Sequence, residues 1–337
     1  MAREISLDGQ SVLVTGGTGS FGQAFVQHVL ETSRPRRLIV FSRDETKQSE
    51  MAVRFSPSEY PCMRYFIGDV RDAERLEMAM KDVDIVVHAA ALKYVPIAEY
   101  NPFECINTNI TGSENVIRAA LRTSVKKVMA ISTDKAVNPI NLYGATKLAA
   151  EKLMIAANNL AGESGPRFAV ARYGNVVGSR GSVVPFFNKL INEGAKELPI
   201  TDERMTRFWI KLSDGVKLVM TSLEMMRGAE IFVPKLEATR VVDVADIMGP
   251  KLKRKIVGIR PGEKLHEWLL SPDEVRSTYD LGDRYVVQPQ LTFWHENNFD
   301  ALGTKLVSPD YFYSSEREDL LMPRETLTSL IDAVTRK

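Results

Sequence analysis

A short apolar run that passes straight through a glycine-rich turn into a helical pattern limits this chain to very few folds. Residues 12–14 lead into Thr15-Gly16-Gly17-Thr18-Gly19-Ser20-Phe21-Gly22, and residues 21–30 then carry apolar side chains three and four apart. Glycines at 16, 19 and 22 allow a tight turn, close approach of the backbone to a pyrophosphate, and close packing of helix on strand. The unpaired N–H groups of the helix start face the anion. The pattern recurs. Residues 11–15, 38–41, 63–67, 85–88, 128–132 and 168–173 are nearly unbroken apolar runs, separated by helical patterns at 21–30, 71–80, 112–121 and 145–157. Strands buried on both faces and alternating with helices predict right-handed βαβ crossovers, hence an α/β fold of the Rossmann type with a doubly wound parallel sheet.

After Asn175 the alternation breaks down. The sequence predicts helices at 185–193, 214–225, 242–247, 263–270 and 323–334, strands at 231–233 and 254–258, an irregular stretch at 198–209 and a weakly periodic one at 271–313. The expected organisation is a nucleotide-binding domain over residues 1–174 and a smaller substrate-binding lobe over 175–337, with some return of chain to the first domain. A length of 337 residues suits that division. The net charge of +1 excludes a polyanion-binding tail and predicts no nucleic-acid partner. No apolar run approaches the roughly 18 residues of a membrane span, and the first ten residues carry charges of both signs, so no membrane partner and a cytoplasmic location are expected. Two cysteines and four histidines without ligand-like spacing predict no metal site and no disulfide framework.

The second strand ends Phe41-Ser42-Arg43-Asp44, with Lys47 one turn later. A hydroxyl beside a guanidinium suits a ribose 2′-phosphate, so NADP is expected over NAD, although Asp44 keeps NAD open. Asp69 and Val70 fit an adenine-contacting turn, with helix capping as the other reading of Asp69. Ala89 belongs to a run of small residues that lets a cofactor lie against the sheet edge. After the fifth strand come Thr133, Asp134 and Lys135, then Tyr143 and Lys147. These last two, four apart, share a helical face, where an ammonium beside a phenol favours phenolate and makes Tyr143 a general base.

Together these elements resemble the extended short-chain dehydrogenase/reductase family over nearly the whole chain. Within that family, residues 92–102, Ser132-Thr133-Asp134-Lys135-Ala136, Asn138-Pro139-Ile140-Asn141-Leu142-Tyr143, residues 172–182, 202–208 and 259–267 are similar to the inverting UDP-N-acetylglucosamine 4,6-dehydratases, closest to the pseudaminic acid branch. The resemblance implies that Tyr143 takes the C4 hydroxyl proton during oxidation, Lys135 removes the C5 proton, and Asp134 protonates the departing C6 hydroxyl. Hydride then returns to C6, and protonation of C5 from the other face inverts it. It also implies cofactor contacts from Thr18, Ser20, Phe21, Lys93, Asn109 and Val176, and substrate contacts from Lys93, Asn175, Arg180, Met205, Arg207, Arg260 and Glu263. A homo-oligomer, dimer or hexamer, is expected. Arg172 is expected to brace the fold, and His266, Trp268 and the run 311–313 to pack. For Lys135 to act as a base near neutrality its pKa must fall by about 3 units; burial and Lys147 would lower it and Asp134 would oppose. A UDP-sugar 4-epimerase would need Tyr143 and Lys147 but have no use for Asp134 and Lys135. A non-catalytic NADP sensor would leave the whole set idle.

Overall fold

The computed structural model describes residues 3–179, 181–289 and 304–335. The six apolar runs form β1 (Ser11–Thr15), β2 (Arg37–Ser42), β3 (Met63–Ile67), β4 (Ile85–His88), β5 (Lys127–Thr133) and β6 (Arg167–Tyr173). Later strands are β7 (Asn175–Val176), β8 (Glu197–Ile200), β9 (Thr206–Ile210), β10 (Ile231–Pro234), β11 (Ala238–Arg240), β12 (Lys253–Ile256), β13 (Trp268–Leu270), β14 (Thr278–Asp280), β15 (Arg284–Val287), β16 (Lys305–Leu306) and β17 (Tyr313–Ser314). Among the described residues the main sheet runs β16-β14-β15-β10-β6-β5-β4-β1-β2-β3. It is parallel from β3 to β10, and β15, β14 and β16 are added antiparallel. The strand order reverses between β1 and β4, and ligands of doubly wound sheets bind at such a switch point. β10 is fully buried and pairs with β6, so residues 231–233 belong to the main sheet and not to the outer lobe.

The helices are α1 (Ser20–Thr32), α2 (Glu45–Arg54), α3 (Ala73–Ala79), α4 (Val95–Tyr100), α5 (Pro102–Ile106), α6 (Gly112–Arg122), α7 (Leu142–Ala161), α8 (Val183–Asn192), α9 (Leu212–Met225), α10 (Val241–Met248), α11 (Pro272–Val275) and α12 (Arg324–Thr335). One apolar cluster lies on each face of the sheet, and a third, around Phe187, Leu198, Trp209 and Leu330, joins α8, α10 and α12. The helix expected at 263–270 does not form. Gly262 sits at φ +80°, and Trp268–Leu270 pairs antiparallel with β17. The irregular stretch 198–209 contains β9, which pairs with both β7 and β11 and lays the outer lobe on the carboxyl edge of the sheet.

Arg172 on β6 is fully buried and ties α7, β13 and α11 together. Its guanidinium donates to Glu151 on α7 at 2.6 and 3.0 Å, to Glu274 on α11 at 2.8 and 2.9 Å, and to the Leu269 carbonyl at 3.0 Å. Tyr313 is buried, with its hydroxyl donating to the Pro234 carbonyl at 3.1 Å, and Tyr311 bonds the Tyr285 hydroxyl at 2.8 Å; Phe312 between them is exposed, so the 311–313 run packs only in part.

Candidate active site

The loops at the switch point enclose a cleft of about 550 Å³ that runs from the first glycine turn, across the ends of β4 and β5, to the start of α8. Gly16 is at φ +65°, and a Cβ there would stand 2.8 Å from the Ala90 backbone. At Gly22 it would stand 2.4 Å from Gly17. The turn is therefore pressed against both its own strand and the neighbouring loop, leaving an open backbone cradle over the start of α1. Thr18, Gly19, Ser20, Phe21, Ala89, Val70, Lys93 and Val176 all line the cleft.

Ser42 and Arg43 line its far end, where the Ser42 hydroxyl bonds that of Thr18 at 2.8 Å and Arg43 lies 3.6 Å from Asp69. Asp69 also accepts from the Arg71 guanidinium at 2.7 Å. Burial pushes the Asp69 carboxyl up, but these guanidinium contacts outweigh it and hold the carboxyl below the ordinary range. Asp44 and Lys47 do not line the cleft. Asp44 caps α2, accepting from the Lys47 backbone at 3.0 Å and from its ammonium at 2.5 Å. Asn109 is likewise turned away: it bonds both the N–H and the carbonyl of Leu92, at 2.8 and 3.0 Å, and so shapes the loop after β4 from behind.

The chemical groups come from the end of β5 and the first turn of α7. Thr133 closes β5, a short 3-10 turn carries Asp134 and Lys135, and Tyr143 follows the N-cap Asn141, which accepts from the Gly144 N–H at 2.7 Å. A Cβ at residue 144 would fall 2.2 Å from the Lys135 carbonyl oxygen, so Gly144 lets the 3-10 turn sit directly on α7. Asp134 is fully buried. Its Oδ1 accepts from the Thr133 hydroxyl and from the Lys135 ammonium, both at 2.9 Å, while its Oδ2 has no hydrogen-bond partner among the described residues. Lys135 reaches into the cleft and also donates to Asn175 Oδ1 at 3.1 Å.

Burial disfavours the Lys135 ammonium, but Asp134 and Glu267 outweigh it, so its pKa lies above the ordinary lysine range and not below, as the expected chemistry required. Burial and Asp134 push the Tyr143 phenol up to about 12, against the pull of the Lys135 ammonium. Burial brings Lys147 down to about 8, with Glu151 opposing, and its ammonium donates to the Ile131 carbonyl at 2.7 Å.

The substrate-side expectations divide. Asn175 lines the cleft. Arg180 lies outside the described residues. Met205, Arg260 and Glu263 do not line the cleft; Met205 is buried, and Arg260 is exposed and 3.9 Å from Glu263. Arg207 donates to the carbonyls of Thr206, Lys264 and Leu265 at 2.7–3.1 Å, holding the loop before β13 against β9. That loop brings in a residue with no role in the sequence reading: Glu267, buried, with Oε1 3.6 Å from Lys135. It stands inside the 259–267 motif, but without the Lys135 contact nothing in its spacing marks it. Thr108, Ser132 and Ser182 also line the cleft with buried hydroxyls that lack hydrogen-bond partners among the described residues.

A family model described as polysaccharide biosynthesis protein matches residues 12–289. The chain belongs to that family. It is 56% identical over 328 residues to a UDP-N-acetylglucosamine 4,6-dehydratase (inverting) of Campylobacter jejuni, covering 96% of this chain and 97% of the relative. It is 44% identical over 285 residues to a UDP-glucose 4-epimerase of Rickettsia canadensis, covering 82% of each. Among solved structures, Pen from Bacillus thuringiensis superposes with a TM-score of 0.89 at 35% identity, covering 98% of this chain and 99% of that one. The extended short-chain dehydrogenase/reductase architecture is thus shared over essentially the whole length.

Proposed function

We propose that this protein is an NADP-dependent inverting 4,6-dehydratase that converts UDP-N-acetylglucosamine to the 4-keto-6-deoxy sugar of L-arabino configuration, the opening step of a pseudaminic acid type of synthesis. The observation that carries this reading is the buried Asp134–Lys135 pair placed beside Tyr143 at the cleft. The Campylobacter relative, similar from end to end, supports it. The cradle at Gly16 and Gly22, together with Ser42 and Arg43, suits a dinucleotide with a 2′-phosphate. That cofactor, when bound, supplies a hydride acceptor and donor with no net redox change.

Tyr143 takes the C4 hydroxyl proton, with the Lys135 ammonium favouring its phenolate. The 4-ketone acidifies the C5 hydrogen. Asp134 and Lys135 share one proton across 2.9 Å. In the ionic form neither can act, because a carboxylate has no proton to give and an ammonium no lone pair. Passing the proton from Nζ to Oδ1 makes both competent. Lys135 then accepts the C5 proton, Asp134 protonates the C6 hydroxyl, water leaves, and the pair is ionic again. This accounts for a base whose overall proton affinity is high: the elimination draws on the neutral form of the pair, not on a free amine.

Asn175, bonded to Lys135, and Lys93 face the sugar and diphosphate in this reading. Ile97, Tyr100 and Phe103, exposed on α4 and α5, support a homo-oligomer, and two free thiols suit the reducing cytoplasm. A UDP-sugar 4-epimerase, favoured by the Rickettsia similarity, would leave Asp134 and Lys135 without work. An NMR time course with UDP-N-acetylglucosamine and no added reductant separates the two. Loss of the C6 hydroxyl with appearance of a methyl group is expected, and a galacto-configured product with its C6 hydroxyl retained would overturn the dehydratase reading.

A further inference from the structure

Glu267 reaches the site from the opposite end of the sequence to Asp134 and Lys135. Its backbone is fixed on both sides by Ser315, whose hydroxyl accepts from the Glu267 N–H at 2.9 Å and whose N–H donates to the Glu267 carbonyl at 2.8 Å. Its carboxylate is held differently. It lies 3.6 Å from the Lys135 ammonium, 3.7 Å from that of Lys264 and 3.8 Å from the Arg207 guanidinium, in each case beyond hydrogen-bond range. Its Oε2 is buried without a hydrogen-bond partner among the described residues. Bracing carboxylates in this protein look otherwise: Glu151 and Glu274 grip Arg172 through bonds of 2.6–3.0 Å. A buried charge held at ion-pair distance acts on its neighbours mainly through its field.

We infer that Glu267 is a positioning residue for the elimination, a second carboxylate that holds the Lys135 ammonium at the cleft and sets how tightly Lys135 keeps its proton. The inference rests on the dehydratase reading above. Five charged or titratable groups bear on Lys135: Asp134 from its own 3-10 turn, Tyr143 from α7, Arg207 from β9, and Lys264 and Glu267 from the loop before β13. Arg207 and Lys264 oppose the ammonium, while Asp134 and Glu267 favour it. With Asp134 as the proton's partner inside the pair, Glu267 is the carboxylate free to bias the pair without taking part in the transfer. It makes Lys135 a stronger base for C5.

The sign follows from the shared proton. Elimination needs one proton on the pair, and its rate falls at high pH where the pair loses that proton. Removing the Glu267 charge eases that loss, so the alkaline limb moves to lower pH. The test is the rate of C5 deuterium incorporation from D2O, measured across pH at saturating UDP-N-acetylglucosamine in wild type, Glu267→Gln and Glu267→Asp holoenzymes. The limb is expected about 1–3 pH units lower in Glu267→Gln, as for loss of an opposite charge at this distance. Glu267→Asp, whose carboxylate is drawn back by one methylene, should fall between the two. If the Gln variant does not fold, a lowered limb in the Asp variant is the supporting result. Slower exchange with the limb unmoved in the folded variants overturns the inference and leaves Glu267 a structural residue. A wild-type enzyme with no C5 exchange at any pH overturns the dehydratase reading itself.

Discussion

Lys135 Nζ lies 2.9 Å from Asp134 Oδ1, an ion pair between neighbours in sequence, with one member fully buried and the other reaching into the cleft. If this pair carries the elimination, Lys135→Met should retain bound nucleotide and C4 oxidation while losing C5 chemistry. In D2O the wild-type product should carry deuterium at C5, and the hydrogen moved from C4 should appear undiluted at C6. Lys135→Met making the inverted product at a normal rate would remove Lys135 from the mechanism.

Asp134→Asn keeps the shape of the carboxyl and removes its proton-donating form. C5 exchange should then outlast dehydration, because Lys135, relieved of the Asp134 charge that holds its proton, can lose that proton to solvent and still serve C5, while the C6 hydroxyl has no acid to help it leave. The ratio of C5 exchange to water loss, read by NMR in D2O, should rise well above that of the wild type. An unchanged ratio would mean that Asp134 does not protonate the leaving group.

Tyr143→Phe removes one oxygen from a side chain that is otherwise packed against Ala98 and Cys105. Turnover should fall by about 10²–10⁴ with nucleotide binding intact. The loss should appear in the first step, so neither C5 exchange nor a 4-keto species should accumulate. Near wild-type turnover would exclude the phenol from proton transfer.

Arg43 is about half exposed and leans on Asp69 at 3.6 Å, so its guanidinium can turn toward a 2′-phosphate at modest cost. Arg43→Ala should lower the preference for NADP over NAD by roughly tenfold or more, since a hydrogen bond between charged groups contributes about 1.5–3 kcal/mol. Lys47→Ala should change it little, because that ammonium is tied to Asp44. Nucleotide released on denaturation, with Kd values for both dinucleotides, reads the effect. An unaltered preference in Arg43→Ala would move the phosphate site elsewhere.

What the sequence made legible follows from how local each signal is. The β1 turn, the parallel strands and the Tyr143–Lys147 spacing are set by residues adjacent in the chain or one helical turn apart, so period and composition reveal them. β10 reads as an outer-lobe strand because only its pairing with β6 places it in the sheet. The 263–270 stretch has helix-like apolar spacing, yet Pro261 and Gly262 precede it and β17, more than 40 residues on, claims it as a strand partner. Glu267 was out of reach for the same reason: its effect on Lys135 depends on a contact across 132 residues of sequence. Asn109, and Arg207 within the 202–208 motif, carry polar side chains suited to a ligand, but the structure engages Asn109 with the Leu92 backbone and the Thr146 hydroxyl and Arg207 with three carbonyls, a distinction that residue type alone does not make.

The Arg172 clamp gives the fold a defined acid sensitivity. Burial pushes the Glu274 carboxyl up, but Arg172 and the Ser271 contacts outweigh it and bring its pKa down to about 2 from the ordinary 4.5. A carboxyl depressed in the folded state contributes stability that is fully present above the unfolded pKa and is lost as pH falls toward the folded one. The window is therefore about pH 4.5 to 2, and the contribution is on the order of 3 kcal/mol. Glu274→Gln should lower stability at neutral pH and flatten its dependence on pH within that window, as read by urea unfolding. Arg172→Met should be costlier at neutral pH, about 3–5 kcal/mol, because it leaves Glu151 buried without its counter-charge. Equal acid slopes in wild type and Glu274→Gln would show that the clamp is held by Glu151 alone.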